Sequence, residues 1–128
     1  EKAPAAIARK VAQAKDGDTI EVWGTGEQTR SFLYIDECLE GIDRLMNSDV
    51  KIPLNIGSAE MVTINELTLM TIAISGKKLA IKNIDGPVGV NGRCSDNRLI
   101  QESLGWQPNF PLRIGINILY NWVHSKLS

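Results

Sequence analysis

Cysteine, histidine and aromatic residues are all scarce in this chain, with two Cys, one His and 5% Phe, Trp and Tyr in 128 residues. The two cysteines, Cys38 and Cys94, form no metal motif, and Cys38 falls on an apolar helical stripe, so a reducing cytoplasm is the expected setting. A single histidine, His124, leaves no serine–histidine–acid set and no metal cluster, and it reads as a surface residue of the last helix. No paired-carboxylate site is evident either. Net charge is nearly absent, with 14 Lys and Arg against 15 Asp and Glu giving −1, so no broad nucleic-acid-binding face is expected. No apolar run approaches the ~18 residues of a membrane span and no signal peptide opens the chain, so no membrane partner is expected. Since it begins at Glu1 without a methionine, a trimmed chain or a piece of a longer one is expected.

What remains is ordinary for one globular domain, with 43% apolar and 23% charged residues. Pro4 and the alanines behind it predict a helix over residues 4–15, broken by Asp16-Gly17-Asp18. Thr19-Ile20-Glu21-Val22-Trp23 alternates like a half-buried strand, and Ser31-Phe32-Leu33-Tyr34 reads as a second. Asp36 is the expected N-cap of an amphipathic helix carrying Cys38, Leu39, Ile42, Leu45 and Met46. Pro53-Leu54-Asn55-Ile56-Gly57 reads as a short strand. Thr63 and Glu66 fit a capping box opening a helix with Leu67, Met70 and Ile74 on one side, ended by Gly76. Another strand is expected over 79–84, then a polar glycine-bearing loop over 85–96 and a helix near 97–104 ended by Gly105. The last helix places Ile116, Leu119, Tyr120, Val123 and Leu127 on one stripe. The expected fold is α/β: a single small domain of short strands and about five helices. Trp23, Trp106 and Trp122 are expected mainly in packing.

Two arginines stand out. Arg30 closes Gly-Thr-Gly-Glu-Gln-Thr-Arg at 24–30, and Arg93 lies in Asn-Gly-Arg-Cys-Ser-Asp-Asn at 91–97. Guanidinium groups are planar, permanently charged and suited to bidentate contact with a pyrophosphate, and both sit in polar glycine-bearing loops. Two unrelated surface arginines would show the same spacing. Gly24-Thr25-Gly26 lacks the third glycine and the following helix of a dinucleotide fingerprint, so it reads as a turn between strands. Gly76-Lys77-Lys78-Leu79 lacks the features of a phosphate loop and reads as a helix end. Glu1-Lys2 is a charged pair before the first helix, where a solvated lysine is the default.

Taken in order, Glu1-Lys2-Ala3-Pro4-Ala5-Ala6, Trp23-Gly24-Thr25-Gly26-Glu27-Gln28-Thr29-Arg30-Ser31-Phe32, Ile35-Asp36-Glu37-Cys38, Leu54-Asn55-Ile56-Gly57-Ser58, Gly92-Arg93-Cys94-Ser95-Asp96-Asn97 and Leu104-Gly105-Trp106-Gln107-Pro108 carry a resemblance over essentially the whole chain. The sequence resembles the C-terminal half of the extended short-chain dehydrogenase/reductase nucleotide-sugar enzymes. The resemblance implies that residues 1–128 are a nucleotide-sugar (substrate) binding domain without the Rossmann half. Arg30 and Arg93 would then clamp the pyrophosphate of a GDP-mannose-like nucleotide sugar. Gln28 and Thr29 would line the same pocket, and Lys10 would contact the nucleotide from the first helix. Lys2 would be the proton-donating lysine of an epimerase, with Glu1 beside it on the substrate. Epimerisation removes a proton from one face of a carbon and returns one to the other, which calls for two acid/base groups. NAD belongs to the full-length family and is not expected in this chain, which is expected to be catalytically incomplete alone. The alternatives are a free-standing, catalytically dead binding or interaction module, self-associating through the face that the Rossmann half normally covers, and the substrate domain of a different nucleotide-sugar epimerase or dehydratase.

Overall fold

Small residues and a proline build the first helix. In a computed structural model describing residues 2–127, α1 spans Ala3–Gln13 with Pro at its start and buries Ile7, Ala8 and Val11. It stops two residues before the expected end. The Lys77 ammonium donates to the carbonyl oxygens of Val11, Ala12 and Ala14 at 2.8, 2.9 and 2.8 Å, and Ala14 is already extended with ψ 154°. A cation at the negative end of the helix engages its last carbonyls, adding to the weak 3.3 Å bond that Val11 accepts from the Ala14 amide.

β1 (Thr19–Trp23) follows the expected alternation, with Ile20 and Val22 buried and Thr19, Glu21 and Trp23 facing out. β2 covers Thr29–Ser31, earlier than the expected 31–34. Its position is decided by pairing: Thr29 lies opposite Thr63 and Arg30 opposite Val62, so the ladder selects the polar residues before the aromatic ones. α2 spans Ile35–Met46 with Tyr34 as N-cap and no side-chain cap. Asp36 therefore sits inside the first turn, where its charge favours the helix N-terminus, and is not the cap.

Residues 53–57 form no strand. A strand needs a neighbour to receive its hydrogen bonds, and the sheets pair β1 with the later β4 and β2 with β3. β3 (Met61–Thr63) leads into α3 (Ile64–Ser75), where Thr63 Oγ1 accepts from the Glu66 amide at 3.0 Å. Gly76 ends α3 in the left-handed region at φ 71°. β4 (Ala80–Ile84) runs parallel to β1, with Thr19 opposite Ala80 and Trp23 opposite Ile84. α4 (Arg98–Leu104) and α5 (Leu112–Leu127) complete the fold. The Glu60 carboxylate accepts from the Leu112 amide at 2.9 Å, satisfying one open donor at the start of α5.

The core lies where α1, α3 and α5 meet the strands: Ile7, Ala8, Val11, Ile20, Val62, Leu67, Ile72, Leu112, Ile116 and Tyr120 are buried together. Leu119 and Val123 are packed against it, whereas Leu127 is exposed. α2 stands apart. Its buried residue is Gly41, where an added Cβ would meet Ile56 and Trp106 at 2.9 and 3.0 Å. Its other face, Ile35, Leu39, Ile42 and Met46, is 43–78% exposed, so three of the five residues of the expected apolar stripe are left uncovered. The tryptophans are also less buried than expected: Trp23 and Trp122 are 51% and 61% exposed. Among the described residues no helix is long and apolar enough to cross a membrane.

Candidate functional site

Residues on α1, β1 and β2 enclose the cavity richest in binding groups. It has a volume of about 350 Å³, and Arg9, Lys10, Trp23, Gln28, Arg30 and Val88 are among its lining. The α1 contribution is periodic. Ala3, Ala6, Ile7 and Lys10 lie on one helical face, and the two alanines leave room where longer side chains would fill the space. From β1 the outward-facing Glu21 and Trp23 reach the cavity, and β2 brings Arg30. A second cavity of about 220 Å³ between Pro4, Phe32, Tyr34, Phe110 and Leu119 has no charged side chain in its lining, so it offers nothing to an anion.

Three of the expected site residues meet in the first cavity: Lys10, Gln28 and Arg30. Lys10 Nζ donates to the Glu21 carbonyl at 3.1 Å, which fixes the ammonium beside β1. Arg30 Nη1 donates to the Thr29 carbonyl at 2.7 Å, and Nη2 reaches the Val88 carbonyl at 3.5 Å. Thr29 is outside the lining and does its work through the main chain. Its amide donates to Asn91 at 2.8 Å, and its carbonyl also accepts from the Arg93 amide at 3.3 Å. One carbonyl thus joins the two arginines that lie far apart in sequence. The Arg93 side chain itself is exposed and outside the cavity lining, and no hydrogen bond or ion pair engages its guanidinium among the described residues. Nearby Asp96 is already paired with Arg98 at 2.7 Å, and that hydrogen bonding holds its carboxyl down at about 2.

Lys2 is exposed at the N-cap of α1, next to the cavity-lining Ala3 and outside the lining itself. Glu1 lies outside the described residues. Sequence reasoning missed Arg9 and Trp23 as site residues. Arg9 directly precedes Lys10, and the strict alternation of β1 already put Trp23 on the same side as Glu21. The turn at 24–26 joins strand to strand. Gly26, at φ 73°, packs directly on the Asn65 amide, which donates to the Thr25 carbonyl at 3.0 Å. No helix N-terminus follows to receive a pyrophosphate, so these residues do not fit a dinucleotide cofactor. Among the described residues no three His, Cys, Asp or Glu side chains converge as a metal site.

The NAD dependent epimerase/dehydratase family profile matches residues 1–57. GDP-mannose 3,5-epimerase of Arabidopsis thaliana is 52% identical over 127 residues, covering 99% of this chain and 33% of the plant enzyme. UDP-glucose 4-epimerase from Thermotoga maritima, solved with UDP-glucose, superposes with a TM-score of 0.84 at 22% identity over 99% of this chain and 40% of its own. UDP-glucuronic acid 4-epimerase from Bacillus cereus, solved with UDP-glucuronic acid and NAD, gives 0.85 at 24% identity over 100% and 41%. The chain is homologous to the NAD-dependent nucleotide-sugar epimerases and dehydratases of the extended short-chain dehydrogenase/reductase class. Within that class it is homologous to GDP-mannose 3,5-epimerase, and it spans about a third of the length of that relative.

Proposed function

We propose that this chain is the substrate-binding domain of a GDP-mannose 3,5-epimerase-like enzyme and grips the nucleotide sugar in the cavity between α1 and β1. The observation that carries this reading is the meeting of three cationic side chains, Arg9, Lys10 and Arg30, with Gln28 and an exposed indole in one concavity. Cations hold a pyrophosphate, and the open face of Trp23 offers a stacking surface to a nucleobase. Arg93 closes the phosphate end from the loop tied to Thr29, with its guanidinium uncommitted. On this reading Lys2, solvent-facing beside the cavity-lining Ala3, is the proton donor to the sugar, and a second half of the enzyme supplies the cofactor and the opposing base. Calorimetry with GDP-mannose tests the reading. Binding is expected, with UDP- and dTDP-sugars weaker, and an absence of heat at millimolar GDP-mannose would sink it.

The uncovered face of α2 supports the same reading from another side. Ile35, Leu39, Ile42 and Met46 form a continuous exposed stripe next to the unpaired segment 53–57, as expected of a surface that a further half of the enzyme covers. In isolation this face drives self-association. Replacing Leu39 and Ile42 together with glutamate is expected to abolish concentration-dependent association in light scattering while changing folding stability by no more than about 0.5 kcal/mol. A wild-type chain that stays monomeric at high concentration would remove the self-association reading.

A further inference from the structure

The loop after β4, a strap that puts Pro87 and Val88 in the cavity wall, is held differently at its two ends and in its middle. At one end the Gly24 amide donates to the Ile84 carbonyl at 2.7 Å, and at the other the Thr29 amide donates to Asn91 at 2.8 Å. Between them residues 86–90 are exposed. Among the described residues, the hydrogen bond reaching this stretch is that from Arg30 Nη2 to the Val88 carbonyl, at 3.5 Å. Side-chain contacts hold the rest. The Gly86 backbone lies against the Trp23 ring, and Val88 packs where a side chain on Gly24 would stand. Gly89, at φ 69°, gives the strap a bend that other residues rarely adopt. Pro87 and Val88 are themselves cavity walls, along with Trp23 and Arg30.

We propose that residues 85–90 are a gate over the nucleotide pocket, latched in the free protein by Arg30 and released by the phosphates that Arg30 binds. The inference rests on the nucleotide-binding reading above. Its chemistry lies in the two bonds of one guanidinium. The 2.7 Å bond to Thr29 is short and keeps Arg30 in place, whereas 3.5 Å is at the outer limit of a hydrogen bond. A phosphate oxygen offers a charged acceptor, and such bonds are shorter and roughly twice as strong as neutral ones. The ligand therefore takes Nη2 from Val88, and the strap loses this polar tether while its anchored ends remain. A long glycine-bearing loop at the mouth of a site is the kind of segment that moves on binding. The gate makes the open form a fraction of the free population, and the apparent affinity is lowered by that fraction.

Two measurements test the gate. In the free protein, replacing Arg30 with alanine should lower the {¹H}–¹⁵N NOE of Val88 and Gly89 toward the values GDP produces in the wild type, with Ile84 and Asn91 unchanged. No change at Val88 and Gly89 would overturn the latch, and this holds whether or not any nucleotide binds. The second locks the strap. A Cβ built on Gly24 stands 3.7 Å from Val88 Cβ, within disulfide range, so Gly24→Cys with Val88→Cys in a Cys38→Ser, Cys94→Ser background can be closed by oxidation. The oxidised form should associate with GDP at least about tenfold more slowly than the same protein after reduction. Equal rates in the two forms would overturn the gate. Should Gly24→Cys fail to fold, Val88→Gly, which removes the side-chain contact, is expected to speed GDP association, and an unchanged rate would count against it. A wild-type chain that binds no GDP would overturn the nucleotide reading itself, with the NOE result still judging the latch.

Discussion

Replacing Arg30 and Arg93 with alanine together is expected to weaken GDP-mannose binding by at least about a hundredfold. A charge-assisted, bidentate contact is worth roughly 1.5–3 kcal/mol, and each 1.4 kcal/mol is a factor of ten. Arg30 is expected to carry the larger share, because it is partly buried in the cavity wall and its alternative partners are two carbonyls. Arg93 is exposed and its contribution is screened by solvent, so its single replacement should fall at the low end of that range. The two losses should not simply add. On the clamp reading both guanidinium groups hold the same pyrophosphate, and residues sharing a partner commonly couple. Arg30→Lys separates charge from geometry: a point charge cannot form the planar fork, so most of the loss should persist. Calorimetry on the two single variants, the double variant and Arg30→Lys would read all of this. Unchanged affinity in the double variant would dispose of the clamp.

Removing the Lys77 ammonium, as in Lys77→Met, is expected to cost about 2–3 kcal/mol of folding stability in urea denaturation. Three carbonyls at the end of α1 converge on this one group at 2.8–2.9 Å. Hydrogen bonds to a charged donor are worth about 1.5–3 kcal/mol when the alternative is an unsatisfied group, and cations at helix C-termini add up to ~2 kcal/mol. Water replaces part of this because Lys77 is half-buried, so the sum of these figures is not expected. Lys77→Arg should recover part of the loss, since a planar fork matches three converging acceptors less well than three rotatable N–H bonds. A change below about 0.5 kcal/mol in Lys77→Met would show that solvent serves the helix end equally well.

These two residues show unequal legibility. Arg30 was readable because it sits in a run of residues that carries the family resemblance. Lys77 was read as no more than the end of a helix, since nothing local signals that its side chain reaches the carbonyls of Val11, Ala12 and Ala14. Strand 19–23 was readable from alternation alone, and α3 from Thr63, Glu66 and Gly76. The expected strand at 53–57 failed for a different reason. Its composition is that of a strand, but a strand is a relation between two segments, and none of the described residues takes that place. The same holds for α2, whose apolar spacing predicts a helix correctly and does not say which half of the stripe is covered.

Periodicity, caps and turn residues by themselves determined the five helices, the first and last strands and the turn at 24–26 that joins strand to strand, because each depends on neighbours a few positions away. The motifs determined which residues to suspect, and Lys10, Gln28 and Arg30 do share a cavity. Tertiary structure alone decided that Arg9 and Trp23 join them, that the Thr29 carbonyl accepts from the Arg30 side chain and the Arg93 amide, and that Pro87 and Val88 wall the same cavity. Each of these is a contact between segments brought together by the packing of α1 on α3 and α5 and by the pairing of β1 with β4, and no local preference of the chain encodes it.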